Sequence, residues 1–263
     1  MDLAKRARFN RIFGNPSGRL LSLAIDHGLG YGTGFPAGLR NVPETLAKLM
    51  PEKPDAVTLM KGFAMHAWEP YAGQCPLIVS SVCFTPDDAL FEHICRPEEA
   101  LRLGADAVAV AIGVRGPNEG KYLKFLTNAV EEASRISMPI IAHIYPRDFS
   151  GTPKIVHDPE NIYWALRCGL ECGADIVKIP YTGDVASYRD IIATSPVPVV
   201  AAGGPKCNSI QEAAALMRDV IAAGGRGATV GRNIWGDADP VKAIRAFKAV
   251  IHDNVAPEKA AVN

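Results

Sequence analysis

The chain has no surplus of either charge: Lys+Arg and Asp+Glu both number 28 in 263 residues. A balance of this kind excludes a surface built to coat nucleic acid or an anionic membrane, so any bound anion must be held by a local arrangement. Long apolar runs are also missing. No segment approaches the roughly 20 uninterrupted apolar residues of a membrane span. The opening MDLAKRARFNRIFG is basic but mixes charge with apolar residues, and no secretory apolar stretch follows it. Its pattern predicts a structural helix in a cytoplasmic chain. The six cysteines (75, 83, 95, 168, 172 and 207) include no C-x-x-C pair, which fits free thiols in a reducing compartment. Cys168 and Cys172 lie one helical turn apart without a zinc-spaced histidine pair, the pattern of core packing.

What the chain does have is apolar content, 48% hydrophobic against 21% charged, enough for a sizeable core. It is distributed in eight short runs: LLSLAIDHG (20–28), DAVTLMKG (55–62), PLIVSSV (76–82), DAVAVAIG (106–113), PIIAHIY (139–145), DIVKIPY (175–181), VPVVAAGG (197–204) and GATVGRN (227–233). They are continuous rather than alternating, as parallel strands buried on both faces require. Six intervening segments (41–50, 96–104, 119–136, 158–173, 208–224 and 239–253) have helical periodicity; several open on Asn or Asp and several close on Gly. Eight strand–helix units predict a closed (β/α)8 TIM barrel of α/β class, one domain over residues 1–263, with the N-terminal helix capping its bottom. A doubly wound sheet would show a Gly-rich first turn opening a helix, which Asp26-His27-Gly28-Leu29-Gly30 does not supply.

Barrel active sites lie at the C-terminal strand ends. The polar candidates there are Asp26, His27, Lys61, Ser80, Ser81, His143, Tyr145, Lys178, Tyr181, Gly203, Gly204, Gly231, Arg232 and Asn233. The turns AAGGPK and VGRN, after strands seven and eight, can aim backbone N–H groups at an anion such as a phosphate. Lys206 and Arg232 are available to add charge. Lys178 closes the run DIVKIPY. Strand alternation gives it the direction of Ile176, toward the barrel interior. Taking an ammonium partly out of water favours the free amine, the form that attacks a carbonyl. Tyr145, one strand earlier, is placed to move a proton, and Asp26 to accept or orient a substrate hydroxyl.

Taken in order and spacing, AIDHG, YPR, ADIVKIPYTGD, AAGGPK and VGRNIW resemble the archaeal-type class I fructose-bisphosphate aldolase family. The broader group includes 2-amino-3,7-dideoxy-heptulosonate synthase and the autoinducer-2 thiolase. The likeness runs from about Arg8 to about Phe247. It implies a homo-oligomeric lyase that makes an imine with a phosphorylated ketose or aldehyde and needs no cofactor or metal. Under the resemblance Lys178 matches the Schiff-base lysine, Tyr145 the proton-transferring tyrosine and Asp26 the aspartate that handles hydroxyls. Gly203, Gly204, Gly231 and Arg232 match the phosphate cradle, and His27, His143 and Lys61 are taken as further substrate contacts. The chain departs from the fructose-bisphosphate members at His143, where those carry tryptophan, and at Asp148, where glycine is expected. Transaldolase-like or thiolase-like transfer therefore stands as an alternative to aldol cleavage. A metal-dependent aldolase built on His27 and His143 would need further ligands, for which only His66, His93, His157 and His252 remain; His93 and His157 fall in connecting segments and His252 in the last helix, which disfavours it. A phosphosugar-binding scaffold without activity is disfavoured by the joint presence of Lys178, Tyr145 and Asp26.

Overall fold

The computed structural model describes residues 1–31, 35–85, 87–89 and 91–261. Eight parallel strands form its centre: β1 (Leu20–Ala24), β2 (Ala56–Met60), β3 (Leu77–Ser80), β4 (Ala107–Val114), β5 (Ile140–Asp148), β6 (Ile176–Ile179), β7 (Val199–Ala202) and β8 (Gly227–Val230). Each pairs with its chain neighbour, and β8 returns to β1 with Leu20 opposite Gly227, so the sheet closes into a (β/α)8 barrel. Helices alternate with the strands, as the repeated apolar runs predict. Their starts follow from local chemistry. Asn41, Asp158, Asp184, Ser209 and Asp239 each accept the backbone N–H three residues on. Each such cap contributes about 1 kcal/mol.

Two apolar layers hold the barrel. One lies between strands and helices and contains Leu21, Leu23, Val57, Val79, Val177 and Ile179, with helix residues such as Leu46, Leu126 and Phe247. The other fills the barrel interior with Leu20, Ala56, Ile78, Ala109, Ile141, Ile176 and Val200. Ile12, at the end of the helix Leu3–Ile12, is fully buried in that second layer, flanked by Phe9 and Phe13. Burying one such side chain contributes about 1.5–3 kcal/mol. The same helix is pinned electrostatically at the strand starts. Lys5 Nζ is 2.9 Å from Asp175, just before β6, and Arg11 Nε donates to Asp106, just before β4, at 2.7 Å. The N-terminal helix therefore caps the bottom of the barrel and leaves the opposite end open.

The elements that the periodicity does not predict are short. Helices Lys61–Ala67 and Val185–Ile192 complete the alternation, and helical turns follow β1 and β8. After β3 the chain makes a small antiparallel hairpin, Val82–Phe84 with Phe91–His93. After β5 it folds back so that Lys154–Ile155 pairs with Arg147–Asp148. Both additions stand over the open end.

Candidate active site

Two residues along the strand above the apolar interior layer, six of the eight strands carry polar side chains, while β4 and β7 carry Ala111 and Ala202. Ser22, Thr58, Ser80, His143, Lys178 and Thr229 are all buried there. Ser22 and Thr58 hydroxyls hydrogen-bond each other at 3.2 Å. Lys178 sits between His143 on β5 and Val200 on β7 in the strand register. It is only 4% exposed and makes neither an ion pair nor a hydrogen bond with any described residue. Isolated buried ammonium groups are costly and are rare unless paired. A lysine in this setting is held for something other than stability.

Above this layer lies a cavity of two adjoining lobes. The first, about 270 Å³, is lined by Asp26, His27, Ser80, His143, Tyr145 and Lys178, with apolar walls from Met60, Val82, Phe84, Ala111 and Ile155. The second, about 310 Å³, is bounded by Gly203, Gly204, Gly231, Thr229, Pro180 and His157. Lys178, Tyr145, His27, Ile155 and Arg232 border both. Lys178 thus stands at the junction, within reach of a molecule that spans the two.

The electrostatics of the junction keep both imidazoles neutral. Burial lowers His27 to about 4, with Lys178 and Arg232 acting in the same direction and outweighing the opposing pull of Asp26. His27 Nδ1 lies 3.6 Å from the Asp26 carboxylate. The His27 ring keeps about a third of its surface exposed, 32%, while Nδ1 itself is enclosed. Burial, and then the charge of Lys178, hold His143 well below the usual histidine range. His143 is 2% exposed and makes no hydrogen bond with any described residue, so its ring nitrogens are available to a molecule in the first lobe.

Glycine shapes the second lobe. Gly204 has φ +72, a left-handed conformation that side chains seldom adopt. At Gly231 the constraint is space: a Cβ would lie 2.7 Å from His27 Cε1 and 2.8 Å from the Ala24 carbonyl oxygen. Side chains then fix the two turns to each other. Arg232 Nη2 donates to the Gly204 carbonyl at 3.0 Å, and Asn233 Nδ2 donates to the Gly203 and Pro205 carbonyls at 2.9 and 2.8 Å. Trp235 Nε1 donates to the Ala24 carbonyl at 2.8 Å, joining β8 to β1. The His157 Nδ1–H donates to the Tyr181 carbonyl at 3.0 Å, which leaves Nε2 for other partners.

Over the first lobe, Phe84 of the hairpin stacks on Tyr145 with centroids 5.9 Å apart and planes at 11°. The hairpin turn is tied down by Asp88, which accepts from Arg147, from the Tyr122 hydroxyl and from Asn118 Nδ2. The Arg147 side chain is fully enclosed and its guanidinium packs over the Phe84, Tyr122 and Phe149 rings. The arginine of the Tyr-Pro-Arg motif is therefore structural, fixing the cover of the lobe.

The structure brings together Asp26, His27, His143, Tyr145, Lys178, Gly203, Gly204, Gly231 and Arg232 around one cavity. Lys61 is not among them. It begins the helix after β2, lines neither lobe, and pairs with Glu99 at 3.0 Å; Met60 occupies the inward position instead. Tyr181 likewise turns outward, its ring against Tyr188 at 5.2 Å. Lys206 pairs with Asp237 at 3.0 Å and is not part of the lining. Phe84, Ile155 and His157 reach the cavity from segments whose sequence carries no periodic signal. No group of three or more His, Cys, Asp or Glu residues able to hold a metal ion occurs among the described residues. No helix among them is long and apolar enough to cross a membrane.

A buried lysine inside the open end of a barrel, paired with no described residue and set beside a tyrosine and a carboxylate, is suited to attack on a carbonyl. The chain belongs to the DeoC/LacD family of aldolases, whose sequence model matches residues 20–237. It is 32% identical over 261 residues to a 2-amino-3,7-dideoxy-D-threo-hept-6-ulosonate synthase of Halobacterium salinarum, covering 98% of this chain and 96% of that one. Among solved structures, an archaeal fructose 1,6-bisphosphate aldolase superposes with a TM-score of 0.82 at 28% identity, covering 95% of this chain and 99% of that one. Another archaeal fructose-1,6-bisphosphate aldolase, whose catalytic lysine is covalently bound to the carbinolamine intermediate of its substrate, matches with a TM-score of 0.82 at 30% identity, covering 94% and 99%.

Proposed function

We propose that this aldolase makes or breaks a C–C bond in a phosphorylated ketose through an imine on Lys178, in the manner of the fructose-bisphosphate enzymes. The observation that carries this reading is the placement of Lys178: buried, unpaired, and at the junction of a glycine-turn lobe and a lobe containing Asp26, His143 and Tyr145. A phosphate in the second lobe would meet Arg232, the glycine turns and His157. That places the adjacent ketone carbon beside the amine.

The Lys178 amine adds to the carbonyl and water leaves, giving a protonated imine. Loss of a proton from the substrate hydroxyl to Asp26 then breaks the C–C bond, and its electron pair passes into the imine to form an enamine. The aldehyde departs through the first lobe. Tyr145 delivers a proton to the enamine carbon, and water hydrolyses the resulting imine to release the phosphorylated ketone. Borohydride added with dihydroxyacetone phosphate should attach one substrate mass to Lys178, mapped by peptide mass spectrometry. Lys178→Met should fold normally and lose both the adduct and turnover. Wild-type turnover in that variant would rule the reading out.

A second reading, transfer of the enamine half to a different acceptor, is favoured by the similarity to the heptulosonate synthase. It uses the same lysine and differs in what enters the first lobe. Product analysis with and without an added acceptor carbonyl compound separates the two.

A further inference from the structure

The two lobes differ in one property that bears on substrate class. We infer that the first lobe takes an uncharged carbonyl partner, an aldehyde bearing hydroxyl groups but no phosphate, and that His143 is its specificity-determining hydrogen-bonding residue. The inference rests on the imine reading above and refines it.

Positive charge is the basis of the argument. Of the described residues lining the first lobe only Lys178 and Arg232 are cationic, and both also line the second. Arg232 is turned to that side by its bond to the Gly204 carbonyl. Lys178 is held in the enamine, whose nitrogen carries no charge when the aldehyde adds. The cations that flank the site elsewhere are engaged: Lys61 with Glu99, Lys206 with Asp237, Arg147 with Asp88 behind the Phe84 ring. What remains in the first lobe besides the two imidazoles is one carboxylate, Asp26, the hydroxyls of Ser80 and Tyr145, and apolar walls from Met60, Val82, Phe84 and Ile155. A phosphate there would face a like charge, with only neutral donors and no cation of its own among the described lining residues to offset its lost hydration.

The imidazoles do not change this balance. Burial keeps both His27 and His143 in the neutral form near pH 7. The neutral imidazole of His143, enclosed in the cavity wall and hydrogen-bonded to no described residue, suits a hydroxyl or carbonyl, to which it can donate with one nitrogen and accept with the other. Leaving it unmatched by an apolar partner, or matching it with an anion, wastes that capacity.

The test is condensation of dihydroxyacetone phosphate with racemic glyceraldehyde or with racemic glyceraldehyde 3-phosphate, after borohydride trapping has been scored with dihydroxyacetone phosphate alone. The expected result is an adduct on Lys178 and a kcat/KM for glyceraldehyde roughly tenfold or more above that for its phosphate. An adduct together with equal or faster use of the phosphorylated aldehyde overturns the inference while leaving the imine reading intact. So does an adduct with no condensation of either aldehyde. Absence of the adduct overturns the imine reading itself. Met60→Lys, which adds a cation to the first lobe, should shift the ratio toward glyceraldehyde 3-phosphate by about tenfold. A folded M60K protein with an unchanged ratio would count against the first lobe as the aldehyde's place.

Discussion

Replacing Gly231 by alanine tests whether the β8 turn is packed as tightly as its geometry indicates. The added Cβ would lie 2.7 Å from His27 Cε1, 2.8 Å from the Ala24 carbonyl oxygen and 3.0 Å from Trp235 Nε1. The first neighbour is the edge of a side chain and can rotate away, but the carbonyl is β1 backbone and cannot. Overpacking of this kind costs about 1–3 kcal/mol. Displacing Trp235 from Ala24 loses a buried hydrogen bond worth about 1 kcal/mol more. The total, about 2–4 kcal/mol, converts to a fall in Tm of roughly 5–15 °C for a chain of this size. Circular dichroism melts and urea midpoints measure it directly. His27 would be pushed into the cavity it borders, so the KM for a phosphorylated ketose should rise in parallel. A Gly231→Ala protein that melts within about 1 °C of wild type with unchanged KM would show that the turn has slack, and the tight-packing argument would fail.

Arg147→Ala leaves Asp88 buried without its cation, which should cost about 3–5 kcal/mol in urea unfolding; it should also free Phe84 from Tyr145 and raise KM more than it lowers kcat. Stability should fall on acidification from pH 6.5 toward pH 4. His27 binds its proton at about 4 in the fold, and His143 well below the usual range, whereas the unfolded chain protonates both near 6.5. The unfolded state therefore takes up more protons in that window. Urea midpoints against pH should show the slope, and His27→Asn should flatten it. Lys206→Met should leave KM for the phosphorylated ketose within about twofold of wild type, because the ammonium belongs to Asp237; a larger rise would place it in the phosphate site.

Much of the site is legible from strand parity alone. Counting by two from Ile176 carries Lys178 into the barrel, and counting from Ile141 carries His143 and Tyr145 with it. The same count from Leu20 brings Asp26 inward. Applied to β2, where Ala56 and Thr58 face inward, parity selects Met60 and sends Lys61 outward to Glu99. Past the end of β6 it sends Tyr181 to Tyr188. Position at a strand end marks a residue as near the active face, and along the strand itself parity decides whether it looks into the cavity; in the turns beyond, His27, Gly203 and Arg232 reach the lining out of parity. Parity has its own limit. It says nothing of Phe84, Ile155 or His157, which arrive through the hairpin after β3 and the fold-back after β5. Their pairings join segments whose sequence gives neither period nor register, and those same residues form much of the cover over Lys178. The inward lysine and its polar neighbours are set by local alternation, whereas the walls around them are set by long-range closure. That division is why the chemistry of this chain can be read from its sequence before its substrate can.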